Sequence, residues 1–416
     1  MMSEKVLLVG VDLGGKEDWP IEETLSELKE LVRACQGEPV HSIICRVGKP
    51  TPNFLIGSGK VQEIVDLCRQ IQVDTVVFSH DLKGSQQRNL EDAIKLKTVD
   101  RTQLILDIFS RRAKSSEGRM QVELAQLQYL FPRLVGKGIE LSRLGGGIGT
   151  LGPGETKLET DRRRISAKIT NLKQSLKAVA AQRAIKRKKR KDRQLPAIAL
   201  VGYTNAGKST LLNRLTKDNQ PVYDGLFTTL DSVSRQFFLP NQKKAVISDT
   251  VGFMHELPHH LIEAFKATLE EVKEADLLLH ILDISHPNPR GLQEVVVGVL
   301  KELGAEEKPI ITVLNKIDRL PDKAGLDGFK MDFGQAVAIS ALTGENLPEL
   351  LDKISELLTE GLLRVELKIP IQRMDLVNLV HKEGRVHSLK YSPRLVQIVA
   401  TLSRQITGRL SEYITP

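Results

Sequence analysis

The chain has 416 residues, of which 41% are hydrophobic, and it carries a formal net charge of +8. This length allows two to four domains with ordinary hydrophobic cores, so we expect a globular protein. The longest apolar runs fall far short of the roughly 20 residues that a bilayer-spanning helix needs, and the amino terminus lacks the pattern of a secretory signal. Three cysteines are too few for a disulfide framework, which favours a cytoplasmic location.

The first segment, residues 1–110, alternates strand-like and helix-like patterns. Apolar runs at Val6, at Ile43 and from Val73 to Phe78 are separated by stretches with helical spacing, of which "IEETLSELKELVRAC" is the clearest. This alternation is typical of a small parallel α/β domain.

The second segment, residues 111–193, combines helical periodicity with positive charge. Apolar residues spaced by four and three, from Met120 to Leu134 and from Ile165 to Val179, predict two helices that pack as an antiparallel coiled-coil hairpin. The glycine-rich stretch "LGGGIGTLGPGE" connects them as the tip. The segment holds 22 Lys/Arg against 7 Asp/Glu, whereas the rest of the chain is mildly acidic. Such a basic block indicates a polyanionic partner.

We interpret the glycine-rich tip as a flexible loop that a rigid arm presents to RNA rather than DNA. Glycine lets the backbone approach another surface closely. The flanking Arg143 and the run from Arg162 to Arg164 suit bidentate phosphate contacts. Two plainer interpretations remain open, namely a flexible linker and a solvated helix face rich in lysine.

The third segment, residues 194–364, contains a phosphate-binding loop. In "AIALVGYTNAGKST" an apolar strand runs into a G-x-x-x-x-G-K-S motif, and the helical "TLLNRL" follows. This order of strand, loop and helix is the context in which the motif binds phosphates. Lys208 is expected to reach the β- and γ-phosphates, and the Ser209 hydroxyl to hold Mg²⁺. The loop residues predicted to contact the nucleotide are Gly202, Tyr203, Thr204, Asn205, Ala206, Gly207, Lys208, Ser209 and Thr210.

Later strand ends predict which nucleotide is bound. Asp249 ends an apolar strand, where its carboxylate can hold Mg²⁺, and Gly252 can offer its amide to the γ-phosphate. "PIITVLNKID" ends in a second polar group, in which Asp318 can accept from N1–H and N2–H₂ of guanine. Adenine lacks these donors, so GTP and GDP are the predicted ligands. The further contacts are assigned to Thr250, Val251, Asn315, Lys316, Ser340, Ala341 and Leu342, with an amide of Ser340 or Ala341 reaching guanine O6.

Between these motifs, "DGLFTTLDSVSR" has the position of a GTPase switch segment. Such a segment needs a threonine that closes over Mg²⁺ and the γ-phosphate in the triphosphate state. We assign this role to Thr229, with Thr228 as the alternative, and place Phe227 beside it at the nucleotide; a plain turn is the other interpretation. The predicted metal ligands are thus Ser209, Thr229 and Asp249, and the predicted catalytic residues are Lys208, Thr229 and Gly252.

The residue after "DTVG" is Phe253. Many GTPases place glutamine there to orient the attacking water, and a phenyl ring can neither donate nor accept for that purpose. We therefore expect slow intrinsic hydrolysis. The last segment, residues 365–416, alternates strand-like and helical patterns and predicts a small α+β domain.

Taken together, the chain resembles the HflX family of translational GTPases. The resemblance rests on "VELAQLQYLFPRL", "GPGETKLETDRR", "GYTNAGKST", "LFTTLD", "DTVGFMHELPHHLIEAFKATLEEV" and "NKID", in the order of that family, and it covers about Val6 to Ile369. One departure is Leu151, where the family usually has arginine.

The resemblance implies a multidomain α/β GTPase that binds the 50S ribosomal subunit through 23S rRNA and splits stalled 70S ribosomes. It also implies that the glycine-rich tip reaches toward the peptidyl-transferase region, and that a partner, the ribosome, completes the site at Phe253. We expect a monomer. A signalling or assembly GTPase that acts on a protein or membrane complex is the alternative, with the basic arm incidental. Peripheral membrane association and additional use of ATP also stay open.

Overall fold

A computed structural model of the chain describes residues 3–14, 19–134, 153–192, 195–216, 226–227, 233–256, 258, 261, 266–322, 325–360 and 362–415. Most of the glycine-rich tip, with Arg143 and Leu151, lies outside the described residues, as do Thr228 and Thr229. Within those ranges the chain forms three β-sheets and one long helical connection. None of the helices described there has the length and apolar character that crossing a bilayer requires.

The amino-terminal sheet has the strand order β2-β1-β3-β4 and is parallel throughout, which confirms the predicted parallel α/β domain. The first helix forms where leucines recur at helical spacing, and it buries Leu25, Leu28 and Leu31. The elements of this domain are, in chain order, β1 (Lys5–Asp12), α1 (Ile21–Ala34), β2 (Glu38–Arg46), α2 (Ser58–Ile71), β3 (Thr75–Phe78), α3 (Gly84–Ile94) and β4 (Lys97–Asp100).

Three helices connect this sheet to the next one. They are α4 (Arg101–Arg112), α5 (Ser116–Leu130), which a 3₁₀ turn continues, and the 40-residue α6 (Pro153–Asp192). Ion pairs join Glu123 to Lys168 and Glu117 to Arg183. Because residue numbers rise along α6 as they fall along α5, the two helices are antiparallel.

The two helices of this hairpin differ in how they are buried. On α6 the predicted seam is followed, because Ile165, Ile169, Leu172, Leu176 and Val179 are buried or half-buried while the residues between them are mostly exposed. On α5 a second face buries Val122, Ala125 and Tyr129 in the same hydrophobic cluster as α4. A single seam was predicted for α5, but this helix also belongs to the core of the amino-terminal domain.

The carboxylate of Asp100 ties the hairpin to the start of α4. It caps α4 by accepting a hydrogen bond from the Gln103 amide at 2.8 Å. It also accepts from the Tyr129 hydroxyl at 2.8 Å and from the Arg133 guanidinium at 2.8 Å. Asp100 is fully buried, and burial raises the pKa of its carboxyl while the amide donors lower it. These donors are what a buried carboxylate needs, so α4 and the end of α5 that leads into the tip are fixed to each other.

The central sheet has the strand order β10-β9-β8-β5-β7-β6, and among its described strands β6 alone is antiparallel to its neighbour. Separate hydrophobic clusters cover its two faces, which confirms the predicted doubly wound sheet. Its elements are β5 (Ala197–Gly202), α7 (Lys208–Thr216), β6 (Val233–Phe238), β7 (Lys244–Asp249), α8 (Lys266–Glu274), β8 (Leu277–Asp283), α9 (Pro289–Glu302), β9 (Ile310–Asn315), α10 (Leu326–Asp332), β10 (Ala336–Ala338) and α11 (Leu347–Glu360).

The carboxy-terminal sheet is antiparallel, with the order β12-β13-β11-β14, and it has a core of its own that includes Leu367, Val380 and Ile398. This agrees with the α+β domain expected there. Its elements are β11 (Leu362–Pro370), α12 (Met374–Glu383), β12 (Arg385–Tyr391), β13 (Leu395–Ser403), α13 (Arg404–Arg409) and β14 (Ile414–Thr415).

The amino-terminal and central domains share one continuous hydrophobic cluster. It joins α4 to Tyr203 and Met254 of the central domain. The Phe109 ring of α4 meets the Phe227 ring edge-on, with centroids 4.6 Å apart and planes at 72°. The carboxyl edge of the central sheet therefore lies against the amino-terminal domain.

Candidate nucleotide site

The phosphate-binding loop joins β5 to α7 and has a backbone that only glycine fits at two positions. Gly202 has φ +155° and Gly207 has φ +97°. A Cβ on Gly202 would lie 2.3 Å from the Ile281 carbonyl oxygen, and one on Gly207 would lie 2.2 Å from Asn315 Nδ2. Both glycines are therefore needed for the loop to turn between neighbouring strands.

Lys208 begins α7 and is buried, with 6% of its surface exposed. Its Nζ donates to the carbonyls of Gly202 at 3.1 Å and Tyr203 at 2.8 Å. Burial lowers the pKa of Lys208 to about 8, although nearby Asp249 acts in the opposite direction. The ammonium thus lies inside the loop, where the phosphates of a nucleotide would meet it.

The predicted Mg²⁺ ligands Ser209 and Asp249 are brought together. The Ser209 hydroxyl donates to Asp249 Oδ2 at 2.6 Å, and Asp249 is 1% exposed at the end of β7. A hydroxyl and a carboxylate are the hard oxygen donors that Mg²⁺ prefers, and nucleotide phosphates and water supply its remaining ligands. The third predicted ligand, Thr229, lies outside the described residues.

The "DTVG" segment returns to the phosphate-binding loop and pairs with it. The Phe253 amide donates to the Gly202 carbonyl at 3.0 Å, and the Thr204 amide donates to the Phe253 carbonyl at 2.8 Å. A Cβ on Gly252 would lie 2.8 Å from Thr204 Cα and 3.0 Å from Lys208 Nζ. The Gly252 backbone is therefore already beside the lysine that would contact the γ-phosphate.

The Phe253 side chain does not face the nucleotide site. It is 2% exposed and packs in the hydrophobic cluster that contains Val201, Leu269 and Val272. The sequence places phenylalanine, and not glutamine, at this position. The structure adds that a side chain at this position is directed into the core.

Asn315 connects the three loops of the guanine end. Its Nδ2 donates to the Ala206 carbonyl of the phosphate-binding loop at 2.7 Å, and its Oδ1 accepts from the Ala341 amide at 2.9 Å. Asp318 is exposed, so its carboxylate is open to a base. The Ala341 amide, predicted as one of two possible donors to guanine O6, bonds to Asn315 in this structure. The neighbouring Leu342 is 68% exposed.

Lys316 has the left-handed φ of +68°, and its Nζ lies 2.6 Å from Asp283 Oδ2 at the end of β8. This ion pair holds the extended lysine stem along the edge where a base would stack. Ser340 is fully buried, and its hydroxyl accepts from the Thr343 amide at 3.1 Å, which shapes the neighbouring loop.

The remaining predicted residues differ in what they offer a nucleotide. The Thr250 hydroxyl donates to the Leu200 carbonyl at 2.7 Å, and Val251 is buried. Tyr203 and Phe227 direct their rings into the interface with the amino-terminal domain. These four residues can therefore meet a nucleotide through their backbone alone. Asn205 and Thr210 lie on the loop and at the start of α7, as predicted.

Sequence reasoning missed the amino-terminal domain's part in this site. The Tyr203 hydroxyl donates to Glu27 of α1, which lies 176 positions away along the chain. Arg101 of α4 reaches the backbone just after Phe253. In the sequence both Glu27 and Arg101 look like ordinary helix-surface charges, and no local signal pairs such distant positions.

Four protein-family models match consecutive parts of the chain. They describe the amino-terminal domain of a GTP-binding GTPase (residues 22–110), its middle region (112–190), a 50S ribosome-binding GTPase (197–316) and the HflX carboxy-terminal domain (331–410).

Curated relatives match over nearly the full length. The chain is 44% identical to GTPase HflX of Caldanaerobacter subterraneus subsp. tengcongensis, over 99% of this chain and 94% of that protein. It is 40% identical to GTPase HflX of Escherichia coli K12, over 90% of this chain and 86% of that protein. Among solved structures, a GTP-binding protein of Sulfolobus solfataricus in complex with GDP is 26% identical. It covers 86% of this chain and 99% of its own length, with a TM-score of 0.44. On the identity and coverage of its relatives, the chain belongs to the HflX family of GTPases.

Proposed function

We propose that the protein is a GTP-driven switch that binds the large ribosomal subunit and dissociates or rescues stalled 70S ribosomes. GTP hydrolysis is the activity of its family, and Mg²⁺ with GTP or GDP suits the site. The observation that supports the ribosomal role is a chain of contacts from the basic hairpin to the nucleotide site. The basic hairpin is fixed through Asp100 to α4, and α4 contacts the nucleotide site.

In the hydrolysis step, Lys208 supplies a positive charge and the Gly252 amide a hydrogen bond to the γ-phosphate. Ser209 and Asp249 would hold Mg²⁺, which neutralises charge on the phosphate oxygens. Phe253 is buried away from this space. We therefore infer that the chain lacks a water-orienting side chain at that position and turns over GTP slowly without its partner.

The hairpin offers a surface suited to RNA. Along α6 the basic residues Arg164, Lys168, Lys173 and Lys177 are exposed. Lys168 forms an ion pair with Glu123 of α5, so part of its positive charge is neutralised within the hairpin. Exposed cations on a rigid helix can follow a phosphate backbone.

Co-sedimentation with 50S subunits tests this proposal. Binding through phosphates predicts an affinity that falls linearly with salt on logarithmic axes, by a slope of roughly 0.7 to 0.9 per phosphate contact. The double variant Lys173→Glu/Lys177→Glu should reduce both the affinity and that slope. Lys353→Glu, half-exposed on α11 and outside the hairpin, is the control and should leave both unchanged.

A 70S dissociation assay tests the outcome of binding. Wild-type protein with GTP or a non-hydrolysable analogue should convert 70S ribosomes to subunits, whereas Lys208→Ala should not. Unchanged 70S peaks in every sample would remove the splitting activity. Binding that ignores salt would favour a signalling or assembly GTPase with a protein partner.

A further inference from the structure

A closed ring of hydrogen bonds links the phosphate-binding loop, the segment after Phe253 and the amino-terminal domain. The Tyr203 hydroxyl donates to Glu27 and accepts from the His255 amide at 2.9 Å. Arg101 donates to Glu27 at 2.5 Å and to the His255 carbonyl at 2.5 Å. It also donates to the Glu256 carbonyl at 3.3 Å. The side chains of Tyr203, Glu27 and Arg101 and the backbone of His255 thus form a hydrogen-bonded cycle across two domains.

The ring is shielded from water. The side chains of Arg101 and Glu27 are 9% and 11% exposed, and Tyr203 is 7% exposed. In such surroundings a guanidinium must be paired, and its planar fork suits one carboxylate and two carbonyls at once. Removing Arg101 would take the guanidinium partner from the Glu27 carboxylate and the bonds from the His255 and Glu256 carbonyls, so the backbone at those two residues would be released.

Aromatic stacking adds a second restraint at the same place. The Trp19 ring stacks on the His255 ring with centroids 4.9 Å apart and planes at 13°. It also lies over the Tyr203 ring at 6.1 Å and 17°. Trp19 is the one tryptophan of the chain. Its emission therefore reports on this interface without any label.

These restraints fix the segment 252–256 at both ends. At one end Phe253 pairs with Gly202 and Thr204 of the phosphate-binding loop. At the other end Arg101 holds two consecutive carbonyls. Gly252 is thereby kept beside Lys208. Capture of the γ-phosphate by the Gly252 amide then needs little further ordering of the backbone.

We propose that Arg101 of the amino-terminal domain is a positioning residue for GTP hydrolysis, acting through the segment 252–256. The inference rests on the GTPase activity of the site and not on the ribosomal role. Arg101 acts through the His255 and Glu256 carbonyls and not as a catalytic group itself. Its effect is to preorganise the Gly252 amide, which would meet the γ-phosphate of a triphosphate and has no such partner in a diphosphate.

The test compares intrinsic GTP hydrolysis of the full chain, without ribosomes, in wild type, Arg101→Ala, Arg101→Lys and Arg111→Ala. Arg111 lies on the same helix, is exposed and bonds to the Cys35 carbonyl, so it serves as the matched control. For Arg101→Ala we expect kcat to fall about 10- to 100-fold, the range for losing a preorganising contact. Its GDP affinity should stay within about threefold of wild type, because GDP has no γ-phosphate.

Arg101→Lys should recover part of kcat, since lysine keeps the charge for Glu27 but cannot serve both carbonyls. Tyr203→Phe removes only the hydroxyl and should lower kcat in the same way; it decides the matter if Arg101→Ala does not fold. Trp19 emission should shift in the variants that break the ring and not in Arg111→Ala.

Unchanged or increased kcat in Arg101→Ala or Tyr203→Phe would overturn the proposal. So would an equal loss of GDP affinity and kcat, which would indicate general damage to the site. A wild-type chain without GTP turnover would overturn both this inference and the activity beneath it, whereas failure to bind ribosomes would leave it intact.

Discussion

Asn315→Ala is the substitution with the clearest expected cost at the nucleotide site. It removes the bond from Nδ2 to the Ala206 carbonyl at 2.7 Å and the bond from the Ala341 amide to Oδ1 at 2.9 Å. Asn315 is 2% exposed, so water cannot easily replace its side chain. A buried unpaired group costs about 1–3 kcal/mol, which makes roughly 2–6 kcal/mol for the two groups.

The free energy lost in Asn315→Ala appears partly as lower folding stability and partly as weaker GDP binding. If the loops at Ala206 and Ala341 relax in the free variant, a nucleotide must order them again. GDP affinity then falls by on the order of 30- to 10⁴-fold, because each 1.4 kcal/mol is tenfold. If the loops stay in place, the same free energy is missing from the stability of the central domain. The sum of the two losses is the quantity predicted here.

Titration with a fluorescent GDP analogue measures the first part, and urea unfolding of the free protein measures the second. Asn89→Ala is the control. Its Nδ2 bonds to the Asn53 carbonyl at 3.0 Å in the amino-terminal domain, far from the loops of the guanine end. GDP affinity within threefold of wild type together with unchanged urea stability would refute the role assigned to Asn315.

Three further predictions concern the same site. GDP affinity should fall, by up to about tenfold per pH unit, as the pH rises above 8. The reason is that free Lys208 has a pKa of about 8 while the complex keeps its proton; calorimetric titrations from about pH 7 to about pH 9.5 measure this. Asp318→Asn should weaken GDP binding by on the order of 10³-fold and favour xanthosine diphosphate, as a competition assay would reveal. Phe253→Gln should not speed hydrolysis. It should instead cost about 3–5 kcal/mol in urea unfolding, because a buried ring is replaced by an unpaired amide.

The parts of the site that the sequence predicts best are motifs formed by neighbouring residues. The phosphate-binding loop needs a strand, a loop and a helix within about twenty positions, and Asp249 and Asn315 each end an apolar strand. Parallel strands place their carboxyl ends at one edge, so the sequence order of these motifs was enough to bring them together.

The parts that were missed depend on contacts between distant segments. α5 was assigned one apolar seam, yet Val122 and Tyr129 face the amino-terminal core, because a helix between two partners needs two buried faces. The identity of Phe253 was correctly taken as the lack of a catalytic glutamine, but its direction into the core follows from pairing with the phosphate-binding loop. No sequence pattern predicts the hydrogen bond between Glu27 and Tyr203 or the contacts of Arg101.

The long helix α6 can act as a lever. Two ion pairs hold it against α5, one at Arg183 and one at Lys168. From Lys168 to its first residue, Pro153, the helix spans a further fifteen residues, or about 22 Å. A rotation of about 10° around the Lys168 ion pair would move the Pro153 end by about 4 Å, so a small tilt where α6 leaves α5 becomes a displacement larger than an atom at the far end of the helix.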